Sequence, residues 1–302
     1  MIQEQERQID YAYYQDLWEN PQPSPELFSP RRWDARADKW VQKLNENPAY
    51  RKEEMERVAA TAGFLRSNGQ LGPGSRVLDI GCGPGLFTAE FAKTAGHVTA
   101  LDLSPRMLHH ANAHSKAEGA TNTSFIAYNF KQADIDALGW RKKFDLVMSC
   151  LTPAITSVED LHKIMDVSRG HCLHVSFVQS GDSLKKQIAS ELFSGVKSYV
   201  GHWNGTVFYS VFNLLFLEGY HPKTFYFSQT NDRTVMPNRE LAERYADFLK
   251  KDFPEKPVSA EMVLSCMEKL CRGKECLTRK TEDCYGYILW DVNSKRPQNA
   301  FS

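Results

Sequence analysis

From Leu71 onward, short apolar runs alternate with helix-forming segments, and that alternation leaves few folds open. The runs are RVLDI (76–80), HVTALD (97–102), TSFIAY (123–128), FDLVMS (144–149) and HCLHVSFV (171–178). Dense apolar runs of this length suit parallel strands covered on both faces. Helices are expected between them, near 85–95, 105–118 and 157–168. Ser104 followed by Pro105 marks one start, with a capping hydroxyl and then a residue whose φ is preset for the first helical turn. The pattern predicts an α/β, doubly wound fold with a mostly parallel sheet.

The flanks read differently. Residues 1–20 suit a helix, PQPSPELFSP (21–30) is a proline-broken connector, and Ser29 is placed to cap a helix whose first residue is Pro30. A third helix follows Pro48 and stops at Gly69. Beyond the fifth strand the sequence predicts a helix in GDSLKKQIASELFSG and a loop in KSYVGHWNG. An apolar helix ends at Gly219, a strand follows at 223–229, helices lie near 238–251 and 259–270, and a last strand spans 284–292. The expected division is a helical N-terminal lid or extension (1–70), a ligand-binding core (71–180), and the remainder of the sheet with a helical, substrate-side elaboration (181–302).

Charge and composition narrow the partners. Lys plus Arg and Asp plus Glu both number 37, so no global field draws the chain to nucleic acid or anionic lipid. VFYSVFNLLFL (207–217) falls short of the ~20 residues that span a bilayer, so no membrane association is expected and the segment reads as a buried helix. The opening MIQEQERQIDYAYYQ has no basic end or apolar centre, and seven cysteines is an odd number. Both point to a reducing, cytoplasmic setting. Cys266, Cys271, Cys276 and Cys284 crowd together without two separate C-x₂₋₄-C knuckles, and His171 and His174 fall on opposite faces of one strand. No metal is expected. His109, His110 and His114 are expected on a solvated helix face.

The first run ends in VLDIGCGPG (77–85), a strand entering a glycine-rich turn before a helix, which is the ligand position of doubly wound folds. A pyrophosphate-binding turn would read G-x-G-x-x-G. Here Gly81, Gly83 and Gly85 alternate, Leu86 follows, and Pro84 removes one N–H. Asp79, two residues before Gly81, would repel a phosphate and attract an ammonium or sulfonium. Asp102 ends the second strand, where adenosine hydroxyls need an acceptor.

VLDIGCGPG closely resembles motif I of the class I S-adenosylmethionine-dependent methyltransferases, and LDLSPRML (101–108) resembles the second-strand motif of that family. The resemblance covers 71 to about 180 and, more loosely, the last two strands. It implies a Rossmann-like, seven-stranded sheet with an antiparallel hairpin at one edge and S-adenosyl-L-methionine as cofactor. On this reading Gly81, Cys82, Gly83 and Gly85 line the methionine part, Asp79 lies by its ammonium group, and Asp102 holds the ribose. Leu103 and Met107 flank the adenine, and Ser149 closes the site at the end of the fourth strand. Where the family usually has Asp after the third strand, this chain has Asn129 and Phe130. The Asn oxygen can still accept from the adenine amino group and the ring can lie against the base, with Asp134 as an alternative acceptor.

The acceptor side is less familiar. SCLTPAI (149–155) lacks the Asn/Asp-Pro-Pro-aromatic motif of enzymes that methylate planar amides or nucleobases. With the balanced charge, this favours transfer by in-line displacement to a small molecule over protein or RNA. Trp33, Arg36 and Trp40 share one helix face, so residues 1–45 are read as a lid in which Trp33 and Arg36 touch the cofactor, Arg36 at its carboxylate. His202, in a glycine-flanked loop, is the candidate base, and Trp18, Tyr14, Trp203 and Tyr209 are candidate acceptor-binding aromatics. The apolar helix at 207–217 leaves a homodimer open.

Overall fold

The computed structural model of the chain describes residues 2–20, 23–193 and 205–295. Their order is α1 (Ile2–Glu19), a 3₁₀ turn (Pro25–Phe28), α2 (Pro30–Glu46), α3 (Pro48–Ser67), β1 (Arg76–Ile80), α4 (Leu86–Ala92), β2 (His97–Asp102), α5 (Pro105–Ala117) and β3 (Thr123–Ala127). A second 3₁₀ turn (Phe130–Gln132) precedes β4 (Phe144–Cys150), α6 (Val158–Val167), β5 (Ser168–Asp182), α7 (Ser183–Leu192), α8 (Thr206–Leu217), β6 (Lys223–Val235), α9 (Arg239–Asp252), α10 (Ala260–Leu270) and β7 (Leu277–Asp291).

The seven strands form one sheet in the order β3-β2-β1-β4-β5-β7-β6, and β1 to β5 are parallel. β7 runs against β5: Val292 N donates to Gly170 O, Phe177 packs on Tyr285, and Lys280 N donates to Ser183 Oγ, so partner numbers fall as chain numbers rise. The strand order reverses between β1 and β4, which opens a crevice above their carboxyl ends. Register sets that rim: Ile80 pairs with Leu101 on one side and Ser149 on the other, and Ser149 pairs with His174.

The chain divides into two compact units. The first comprises the described parts of 1–176, 206–227 and 286–302. Its core is the apolar strand residues themselves, among them Val77, Leu78, Ile80, Leu101, Leu146 and Val147, all buried. Each such side chain contributes on the order of 1.5–3 kcal/mol of burial. α1 lies along α8: Tyr14 meets Tyr209 edge-on at 5.5 Å, and Tyr11 Oη donates to Glu218 at 2.7 Å. Phe208, Val211, Leu214 and Leu215 of α8 are buried, so the apolar helix has an intramolecular partner.

The second unit comprises the described parts of 177–205 and 228–285. Leu184 and Ile188 of α7, Tyr245 and Leu249 of α9, and Val263 and Met267 of α10 make its core. Asp182 anchors it, accepting from the Leu184 and Lys185 amides, from Tyr245 Oη at 2.9 Å and from Arg279 Nε at 2.8 Å.

Element starts follow their caps. Ser104 accepts from Met107 N, Ser157 from Asp160 N, Asn238 from Leu241 N and Ser259 from Met262 N. α2 does begin at Pro30, but Ser29 makes no side-chain cap bond. β6 and β7 extend beyond the expected 223–229 and 284–292. Their added segments, TNDRTV and LTRKTED, are polar, and strands with one wet face need no continuous apolar run.

Candidate functional site

β1 delivers the chain into the turn at 81–85, and three glycines there adopt left-handed backbone: φ is +69° at Gly81, +52° at Gly83 and +83° at Gly85. That conformation costs a Cβ-bearing residue about 1–2 kcal/mol. Two of them also sit against neighbours. A Cβ at Gly85 would stand 2.7 Å from the Ala111 Cβ of α5, and one at Gly81 would fall on the Thr152 side chain. A Cβ at Gly83 would lie 3.7 Å from the Trp40 ring.

The amides of this turn are occupied by the protein itself. Gly81 N and Cys82 N donate to Leu101 O at 2.7 and 3.0 Å, Gly83 N to Asp102 Oδ2 at 2.9 Å and Gly85 N to Cys82 O at 3.0 Å. Pro84 has no N–H, so from 81 to 85 every amide donor has an internal partner. A pyrophosphate, which needs such donors, is poorly served.

Two carboxylates flank the turn instead. Asp79 is 1% exposed, accepts from Thr88 Oγ1 at 2.6 Å, and is pushed up to about 7 by burial, with the Asp102 charge adding to the effect. Asp102 is half-buried and raised by the same desolvation. Its oxygens also accept from Gly83 N and Ser104 N, which fixes the carboxylate while leaving further lone pairs. Neutralising these groups by protonation or by a cation relieves the same burial cost.

α2 lies against this turn through residues on either side of Ala37, which is buried. Ser104 Oγ, already the α5 cap, donates to Asp34 Oδ1 at 2.5 Å, and Arg106 N donates to the same oxygen at 3.2 Å. Asp38 pairs with Arg106 and with His110, and those partners hold its carboxyl down at about 2. His110 is therefore engaged with α2 rather than solvated, while His109 is exposed. Trp40 is the α2 aromatic at the glycine turn. Trp33 instead donates from Nε1 to Leu27 O at 2.9 Å, and Arg36 is exposed with its guanidinium 5.5 Å from the Trp33 ring centroid.

Of the other expected residues, Met107 and Phe130 are buried, Leu103 is half-buried, and Asn129 accepts from Lys131 N to cap the short turn it precedes. Cys82 is buried, which pushes its thiol well up and suits packing rather than nucleophilic chemistry. Trp18 is buried, and Glu19 beside it accepts from Val158 N at the start of α6. The structure thus brings the Trp18 end of α1 to the segment after β4, and Tyr14 to Tyr209. His202 and Trp203 lie outside the described residues.

Three features have little sequence signal. Leu151 takes φ +50°, which turns Thr152 onto Gly81. Lys131 pairs with the buried Asp160 and donates to Thr156 Oγ1 at 2.8 Å, tying the segment after β3 to the start of α6. Asp34 and Asp38 read in sequence as ordinary helix-surface charges; only the partner element reveals their use.

Residues 77–171 match a family model described as "Methyltransferase domain". The ubiquinone biosynthesis O-methyltransferase of Xylella fastidiosa is 33% identical over 90 residues, 23% of this chain and 37% of that protein. The malonyl-[acyl-carrier protein] O-methyltransferase of Erwinia billingiae is 39% identical over 85 residues, 28% of this chain and 34% of that protein. The chain therefore matches little more than a third of either relative's length. Among solved structures, the N-methyltransferase NodS of Bradyrhizobium japonicum, in complex with S-adenosylhomocysteine, overlays 87% of this chain and 95% of its own at 16% identity, with a TM-score of 0.42.

Proposed function

We propose that this chain, whose residues 77–171 match a methyltransferase domain, is a class I S-adenosylmethionine-dependent enzyme that transfers a methyl group to a small-molecule acceptor. The carrying observation is the chemistry of the glycine turn. Its amides are internally bonded, and two carboxylates, the buried Asp79 and the half-buried Asp102, face the ligand end of β1 and β2. That set fits a cationic nucleoside and not a dinucleotide. S-adenosylmethionine, when bound, supplies a methyl group already activated as a sulfonium. On this reading the glycines admit its amino-acid part close to backbone, Asp79 meets the ammonium, Asp102 meets the ribose hydroxyls and Trp40 closes over the turn.

For such a displacement the protein contributes alignment and exclusion of water, and a base only where the acceptor is protonated. Trp18 at the start of α6, with Tyr14 and Tyr209, supports an apolar acceptor wall. The small-molecule assignment is further supported by the similarity to an O-methyltransferase named for ubiquinone biosynthesis. Incubating the chain with isotopically labelled S-adenosylmethionine and metabolite extracts, then analysing by mass spectrometry, should yield a labelled small molecule. Label found only on protein or RNA would overturn the acceptor class.

A further inference from the structure

Three polar side chains of the first unit share one face where the carboxyl end of β4 lies beside the middle of β5. Ser149 and His174 are paired in register, with Ser149 Oγ 2.9 Å from His174 Nδ1. Ser176 follows His174 by two residues, so it stands on the same face. Their exposures are 0%, 3% and 9%. Yet His174 Nε2 and Ser176 Oγ are buried with no hydrogen-bond partner among the described residues.

A buried polar atom left unpaired costs on the order of 1–3 kcal/mol, and two on one strand face call for an explanation. A packing role does not supply one, because Val or Leu would fill the same space without the penalty. Position does. Ile80, Ser149 and His174 form one register row. His174 is therefore two strand spacings, roughly 10 Å, from the last residue before the glycine turn. Ser149 also precedes by two residues Leu151, whose left-handed backbone sends Thr152 to Gly81. The unpaired atoms lie level with the carboxyl end of β4, beside the end of β1, where ligands of open α/β sheets bind.

Resting on the methyl-transfer reading above, we propose that His174, oriented by Ser149, and Ser176 form the polar end of the acceptor site and hydrogen-bond a neutral, hydroxyl-bearing small molecule through Nε2 and Oγ. The imidazole is neutral at physiological pH, because burial pulls it down to about 4. One ring nitrogen then donates and the other accepts, and the Ser149 contact at Nδ1 governs which role Nε2 takes. An uncharged imidazole and a hydroxyl match a neutral hydroxyl and bring no charge for an anion. At such a pKa His174 is a poor proton acceptor, so its role is to bind and orient the acceptor.

The test uses phenol as a minimal planar hydroxyl compound, titrated into the full chain saturated with S-adenosylhomocysteine, with the ¹⁵N signal of the His174 ring as readout. The Nε2 signal should shift saturably. His174→Asn keeps an atom facing Ser149 but loses Nε2, and phenol binding should weaken at least about tenfold. His174→Gln restores a polar atom near the Nε2 position and should stay within about threefold of the parent. Both variants should bind S-adenosylhomocysteine as the parent does. An unmoved Nε2 signal, or equal phenol affinity in the Asn and Gln variants, overturns the assignment. A parent chain that binds phenol at His174 but not S-adenosylhomocysteine overturns the methyl-transfer reading and leaves the His174 site standing.

Discussion

Gly83 and Gly85 share a left-handed backbone but not their surroundings, and that difference separates two effects that substitution usually merges. Gly83→Ala meets open contact with Trp40 and should cost only the backbone term, about 1–2 kcal/mol. Gly85→Ala adds an overlap with Ala111 backbone and side chain, an overpacking term of about 1–3 kcal/mol more. Urea unfolding should rank Gly85→Ala as clearly the less stable of the two. Asp79 gives a pH signature. Its folded carboxyl titrates near 7, above the ~3.9 of an unfolded Asp. Between those values the native state holds a proton that the unfolded state has released, so stability is full below pH 4 and declines as pH rises through 7. Going from pH 5 to pH 8, the parent should lose stability relative to Asp79→Asn in urea melts; parallel behaviour would contradict a raised carboxyl. The glycines and Asp79 were legible in sequence because their constraint is local. The polar atoms of His174 and Ser176 were not, since which atoms lack partners depends on every neighbouring element.

Among the elements, α2 shows what helical spacing fixes and what it leaves to the partner element. Its start and its aromatic face follow from Pro30 and from i, i+3 and i+4 spacing, and both are present. Spacing fixes which residues share a face, but not which turn of that face meets a neighbour. Sequence chemistry favours Arg36, since a guanidinium suits a carboxylate; in the structure its exposed side chain lies over Trp33, and Trp40 is at the glycine turn. The docking is polar: the α5 cap hydroxyl of Ser104 donates onward to Asp34. Asp34→Ala removes the acceptor of both the Ser104 Oγ and the Arg106 N bonds and should loosen α2, with hydrogen exchange of its amides rising at least about fivefold, since one net hydrogen bond alone is worth about 1 kcal/mol, while β1 and β4 amides stay unchanged. Asp38→Ala removes a solvent-exposed ion pair and should give a smaller change that vanishes in high salt. The lengths of β6 and β7 were under-read for a related reason. Their outer segments are held by sheet neighbours, not by an apolar pattern of their own.

For the whole molecule, the ligand choice should appear as linkage. S-adenosylhomocysteine at about a hundred times its Kd adds about 2.7 kcal/mol and should raise the Tm by several degrees, whereas reduced NAD at the same concentration should leave it unmoved. The opposite ranking would point to a dehydrogenase. By itself the sequence determined the alternating β/α order, the parallel sheet that such order requires, and a turn whose glycines, proline and acidic flank disfavour a pyrophosphate. Each of these is encoded within a few consecutive residues, through backbone freedom, missing donors or local charge. Only the tertiary structure decided that Trp40 faces Gly83, that Thr152 reaches Gly81 and that α1 pairs with α8. It also left His174 and Ser176 with buried, unpaired atoms at the rim. Those facts depend on register and on which helix face meets which strand end, and contacts between residues distant in the chain leave no mark in a local pattern.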